Sequence, residues 1–278
     1  MSILEAILLG IVEGVTEFLP VSSTGHLTIV EKLLGFDIDD ADITAFTAII
    51  QVGAIAAVVV YFRDDLWTIL RSLLAGIADA GKRHGRDFQF GLAVVVGSLP
   101  IAVAGLVFKD QIEGPLRSLW VVAGALILWS AVMHFADRRG SQRRDEHDFN
   151  MRDALAMGIV QCLALVPGVS RSGATIAAGL LRGLDRVTVT RMSFFLAIPA
   201  LTAAGIFQAV TESSDISEGV GWGPTLVGIA VSFVVAYASI AWLLRYVARH
   251  TFEAFVVYRI ALGLAVIGLI VTGVTTAT

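Results

Sequence analysis

The sequence predicts an all-α polytopic membrane protein, with six transmembrane helices plus two re-entrant helical hairpins arranged as an inverted-topology repeat. Three observations carry this expectation. Of 278 residues, 56% are hydrophobic and only 16% charged, with a mean hydropathy of +0.80, whereas a soluble domain carries about a quarter charged residues. Several nearly uncharged stretches are long enough to cross a bilayer, which takes about 20 residues. A polar motif near the N-terminus also recurs in the second half. The same composition excludes disorder, which needs low hydrophobicity and high net charge. A net charge of −4 is too small and of the wrong sign for nucleic acid. The single cysteine, Cys162, rules out an internal disulfide or a Cys-rich metal site. The first basic residue is Lys32, so no basic segment precedes the first apolar run and no cleaved signal peptide is expected.

Six windows read as spans: Ile43–Phe62, Phe88–Phe108, Ser118–Ala136, Met192–Thr211, Gly219–Leu244 and Ile260–Thr278, the last starting near Phe252 with Arg259 inside it. Residues 66–77 place Leu66, Ile69, Leu70, Leu73, Leu74 and Ile77 at helical spacing, as an interfacial amphipathic helix would. Lys and Arg concentrate in residues 63–87, 137–153, 182–191 and 245–250. The connections 31–42, 109–117 and 211–221 hold only Lys32, Lys109 and Arg117. The positive-inside rule assigns the first group to the cytoplasm and the second to the outside. Residues 154–181 then leave and return on one side. They are too few for two spans, so they read as a hairpin broken at Val166-Pro167-Gly168. Non-helical backbone at membrane depth survives only where protein or a water-filled cavity satisfies it, which marks the break as a candidate site.

Gly10-Ile11-Val12-Glu13 recurs as Gly158-Ile159-Val160-Gln161, an offset of 158 − 10 = 148. Without a gap, Val21-Ser22 meets Val169-Ser170, Gly25 meets Gly173, and Phe46 and Ile50 meet Phe194 and Ile198. Pro20 falls one position from the partner of Pro167. Three spans follow each copy, an odd number, so the copies have opposite topology and their broken helices meet near the midplane. Residues 2–30 then enter from outside, and both termini lie outside. The organisation is one membrane domain, 1–278, with repeats 1–136 and 154–278 joined by a cytoplasmic loop 137–153.

Glu13 and Glu17 are four apart and share a helix face. Like charges there repel, so either one holds a proton or a cation lies between them. Ser22, Ser23 and Thr24 follow Pro20. Capping accounts for one of them, but not for three hydroxyls together with His26. In the second copy, Gly168 and Gly173 flank Ser170, Arg171 and Ser172, with Thr175 two residues on. Backbone N–H groups, hydroxyl donors and a helix N-terminus favour an anion, and the Arg171 fork suits phosphate. Neither copy is complete. Together they give a cation site, a nucleophile or base, and an anion cradle, the equipment for phosphoryl transfer.

Glu13-Gly-Val-Thr-Glu17-Phe-Leu-Pro-Val-Ser-Ser-Thr-Gly-His26 and Pro167-Gly-Val-Ser-Arg-Ser-Gly-Ala-Thr175 resemble the two signatures of the undecaprenyl-diphosphate phosphatase family, the bacitracin-resistance type. The resemblance in length, span layout and duplication covers nearly the whole chain. It implies an integral enzyme of the bacterial plasma membrane that removes the terminal phosphate of a C55 polyprenyl diphosphate and so recycles the lipid carrier of cell-wall synthesis. It also implies a divalent cation, Mg or Ca, and for many members a homodimer. By the same resemblance Glu13 and Glu17 are the acidic pair, for cation binding or acid–base work. Ser23 and His26 are the reactive pair, and Ser170, Arg171, Ser172 and Thr175 hold the diphosphate. Three attacking groups stay open, in this order: Ser23 activated by Glu17 or His26, then His26 itself, then a cation-bound water. The site is expected to open outward, because the hairpin with both glutamates enters from that side.

Three rival functions use parts of the same residue set. Ser23-Thr-Gly-His26 faintly resembles an acid-phosphatase signature that also needs an Arg-Pro motif and a second His. No Arg precedes any of the six prolines, and no His follows Arg171 before His250. An intramembrane protease using Ser23 and His26 leaves Arg171 and the glutamates without a purpose. A lipid transporter or flippase shares the inverted-repeat architecture and is separated from an enzyme by phosphate release.

Overall fold

The computed structural model describes residues 1–37, 40–108, 116, 118–211 and 219–273, with only the backbone of 206–211. Lys109, Arg117 and the last five residues of the sixth predicted span lie outside the described residues.

Among the described residues there are eleven α-helices and two 3-10 turns, with no named β-strand. Helix α1 spans Ile3–Thr16, α2 Ser23–Leu33, α3 Ala41–Tyr61, α4 Arg63–Ala78, α5 Arg86–Val107 and α6 Leu119–Arg139. In the second half α7 spans Met151–Gln161, α8 Arg171–Leu181, α9 Arg186–Thr211, α10 Trp222–Val247 and α11 Glu253–Val271. Six of these, α3, α5, α6, α9, α10 and α11, are long and apolar enough to cross a membrane. They coincide with the six expected spans. The last ends at Val271, and the second broken segment begins at Met151 rather than at 154.

The polar residues at the helix starts decide these boundaries. Ser2 and Glu5 form a reciprocal capping box at α1, and Asn150 and Asp153 form one at α7. Each satisfies two N–H groups that the first turn leaves unpaired. Helix α1 stops before Pro20, whose ring disfavours helical geometry in the residue ahead of it. Ser22 then starts α2, as Ser170 starts α8, each accepting a hydrogen bond from the N–H three residues on. The expected amphipathic helix is α4. It leaves Trp67, Leu70, Leu74 and Ile77 exposed.

The short helices are held by exchange between the halves. Helix α1 packs on α10, and α7 packs on α5. Both contacts run through glycine: a Cβ on Gly10 would lie 2.7 Å from the Gly228 carbonyl oxygen, and one on Gly158 would overlap the backbone of Gly97. Small residues let backbones approach where lipid offers no hydrophobic driving force.

At one end of the bundle the basic connections converge. Asp153 is fully buried between Arg144 (2.5 Å) and Arg182 (2.9 Å), which ties the start of α7 to the end of α8. Asp137 accepts from Arg186 at 2.6 Å and from the Phe252 N–H at 2.9 Å. Arg191 pairs with Asp65 and Glu146. The segments expected on the cytoplasmic face therefore lie against one another.

Candidate active site

Both predicted breaks carry the same backbone signature. Ser22 has φ 78° and Ser170 φ 77°, a left-handed conformation that non-glycine residues adopt at a cost of about 1–3 kcal/mol and mostly at functional positions. The two turns touch. The Gly168 N–H donates to Ser22 Oγ at 3.2 Å, and Ser172 Oγ donates to the Leu19 carbonyl at 3.0 Å.

Glu17 sits at this junction, with its side chain 4% exposed. The Ser23 hydroxyl donates to its Oε2 at 2.6 Å. Arg171 Nη2 lies 3.2 Å from its Oε1 and 3.3 Å from its carbonyl oxygen. One buried carboxylate thus joins a hydroxyl at the start of α2 to the guanidinium at the start of α8. Arg171 Nη1 donates to the Ser193 carbonyl at 3.0 Å, the guanidinium lies 5.7 Å from the Phe18 ring centre, and its buried Nε has no partner.

Glu13 lies on the same face of α1 and is buried, with Oε1 lacking a hydrogen-bond partner. A buried carboxylate without a partner is costly as a bare anion, so this donor fits a cation. Among the described residues no group of three or more His, Cys, Asp or Glu could hold a metal by itself. Two carboxylates leave an ion with open positions, which Mg commonly fills with substrate phosphates and water.

The other predicted residues are placed as follows. His26 is buried and meets the Ser22 carbonyl through Nδ1 (2.7 Å) and the Tyr258 hydroxyl through Nε2 (2.7 Å). Ser23 is bonded to Glu17 rather than to His26. Ser22 and Ser170 cap their helices, and Ser170 Oγ lies 3.1 Å from Ser172 Oγ. Thr175 Oγ1 is 2.7 Å from Ser193 Oγ. Gly173 is buried and Thr24 is exposed.

Three residues outside the motifs complete the arrangement: Ser193, Tyr258 and Arg259. Arg259 is fully buried and donates to the carbonyls of Pro20 (3.1 Å), Gly168 (2.9 Å) and Val169 (3.1 Å) and to Ser130 Oγ (3.1 Å). It ties both breaks to α11 and α6. A charge inside a predicted span was a sequence signal for it. Nothing in the sequence singled out Tyr258 or Ser193.

These features define an all-α polytopic membrane protein with a buried, charge-paired site made where two broken helices meet. The family described as bacitracin resistance protein BacA matches residues 6–265, and the chain belongs to this family of integral membrane undecaprenyl-diphosphatases. It is 60% identical over 278 residues to undecaprenyl-diphosphatase 3 of Frankia casuarinae, covering 100% of both chains. It is 55% identical to undecaprenyl-diphosphatase of Cutibacterium acnes, again over 100% of both. To undecaprenyl-diphosphatase 1 of Streptomyces coelicolor it is 54% identical, over 99% of this chain and 98% of the relative.

Proposed function

We propose that this protein hydrolyses undecaprenyl diphosphate to undecaprenyl phosphate and inorganic phosphate, recycling the lipid carrier for peptidoglycan synthesis and conferring bacitracin resistance. The observation that carries the mechanism is the Ser23–Glu17–Arg171 chain. Glu17 Oε2 accepts the Ser23 proton as Ser23 Oγ attacks the terminal phosphorus. The bond from that phosphorus to the bridging oxygen breaks, and undecaprenyl phosphate leaves with the electron pair. Arg171, with its unused Nε and a fork matched to phosphate, takes up the charge that develops on the phosphoryl oxygens. Glu17 passes that proton to the oxygen of the departing undecaprenyl phosphate and is a carboxylate again; it then takes a proton from the water that attacks phosphorus, the bond from phosphorus to Ser23 Oγ breaks, and Glu17 returns this second proton to Oγ as phosphate leaves. Ser170, Ser172 and Thr175 support the cradle by fixing the second turn. Glu13, with Glu17 beside it, would hold a divalent cation, Mg or Ca, whose charge offsets that of the diphosphate.

We read the two halves as an inverted repeat with two re-entrant hairpins. Support comes from the offset of 148, which relates Ser2 to Asn150, Ser22 to Ser170, and both ends of α2 to those of α8. The Asp153–Arg182 ion pair supports entry and exit of the second hairpin at one face. The site then opens outward, and product phosphate is released there. Impermeant thiol labelling of Ile38→Cys and Asp215→Cys, both outside the described residues, tests this; protection of both from outside refutes it.

The central test is inorganic phosphate release from undecaprenyl diphosphate by the detergent-purified protein, with and without chelator. A pure lipid transporter on the same frame would release none.

A further inference from the structure

His26 is held at both ends of its ring, and the two partners differ in kind. The Ser22 carbonyl, 2.7 Å from Nδ1, only accepts, so Nδ1 carries a hydrogen. In the neutral ring Nε2 then keeps its lone pair, and the Tyr258 hydroxyl at 2.7 Å donates to it. The two rings also stack, with centres 5.6 Å apart and planes 14° from parallel. We propose that Tyr258 is a positioning residue that anchors the Nδ1–H ring of His26 through Nε2, so that His26 braces the Ser22 turn instead of acting as the base for Ser23.

The brace reaches the reacting atoms through short links. His26 Nδ1–H holds the carbonyl of Ser22, whose left-handed φ of 78° is the least comfortable backbone of the first hairpin. Ser22 Oγ accepts from the Gly168 N–H of the second hairpin. The next residue, Ser23, has its hydroxyl on Glu17. In the other tautomer the Nδ1 lone pair would face the Ser22 carbonyl lone pairs, and the brace would become a repulsion. The Ser22 carbonyl therefore sets the tautomer, and the Tyr258 hydroxyl, which can donate to Nε2, holds the ring against that carbonyl.

This rests on the phosphatase reading for its kinetic consequence, but not for its structural one, and two readouts separate them. Ring ¹⁵N spectra of histidine-labelled protein in detergent report the tautomer directly, with the His26 signals identified by their loss in His26→Asn. The expected wild-type spectrum is the Nδ1–H form. In Tyr258→Phe, which keeps the ring and removes only the hydroxyl, the Nδ1–H form remains but the Nε2 signal moves downfield as its lone pair loses the donor. In the same variant kcat falls about tenfold, the size of one ordinary hydrogen bond, while KM changes less than twofold. A wild-type spectrum of the Nε2–H form or of imidazolium overturns the proposal. So does a Tyr258→Phe variant in which either the Nε2 signal or kcat stays at its wild-type value. A wild-type protein that shows the Nδ1–H form but hydrolyses no polyprenyl diphosphate sinks the phosphatase reading instead.

Discussion

Arg171→Ala tests the junction most directly. In the wild type the guanidinium is held by three acceptors, the Ser193 carbonyl and the carboxylate and carbonyl of Glu17, and keeps Nε unpartnered. Held this way, it meets developing charge with little reorganisation. Loss of a single such donor removes about 2.7–4 kcal/mol of transition-state stabilisation, and about 1.36 kcal/mol is a factor of ten in rate. The expected fall in kcat/KM is therefore at least about 10²-fold. Arg171→Lys retains charge but not the fork, and should recover only part of it. The substitution also leaves Glu17 buried without its cation, which destabilises by about 3–5 kcal/mol in comparable cases. Folding is therefore followed by thermal unfolding in detergent, and Arg171→Ala is also made in the Glu17→Gln background, where no charge is stranded. The assay is phosphate release at saturating cation. Activity of folded Arg171→Ala within about threefold of wild type, against the expected 10²-fold loss, would remove the start of α8 from the mechanism.

Other perturbations follow from the same geometry. Ser23→Ala and Glu17→Gln should each lower kcat by about 10²–10⁴, the range of a lost base or nucleophile partner, and the double variant should fall little further because the two act as one unit. Activity should vanish with chelator and return with Mg, and Glu13→Gln should raise the Mg concentration needed for half-maximal rate. Gly158→Ala forces a methyl against the Gly97 backbone and should destabilise by about 1–3 kcal/mol, read as a lower Tm. At Asp153 burial pushes the carboxyl pKa up, but hydrogen bonds from Arg144 and Arg182 outweigh it and hold the group below its ordinary 3.8. Its stabilisation is therefore complete above that value and is lost as pH falls below it. Thermal melts at descending pH should show this loss, and Asp153→Asn should flatten it.

Much of the fold was legible because the bilayer imposes it. Apolar runs near 20 residues, Pro20 and Pro167, and the serines that begin α2 and α8 act through the chain's own backbone and through solvent. The six spans and both breaks could therefore be read from local pattern. Local pattern also carried the polar residues of the two motifs, since ionisable groups inside such segments stand out against apolar neighbours. The partner of each group was not legible. His26 and Ser23 are close in sequence, yet the turn at Ser22 sends their side chains to different partners, Tyr258 and Glu17. Ser193 and Tyr258 lie in ordinary-looking helical stretches and matter only through what they touch.

The sequence by itself determined the class of the protein, its six long apolar helices and the two polar half-motifs, because hydropathy, helix breaking and capping depend on near neighbours along the chain. Only the tertiary structure decided that Glu17 joins Ser23 to Arg171, and that Arg259 ties both breaks to one helix. Apart from Ser23–Glu17, those contacts link positions 90 or more residues apart, and hydrogen-bond geometry at that separation is set by how helices pack, which no local pattern encodes.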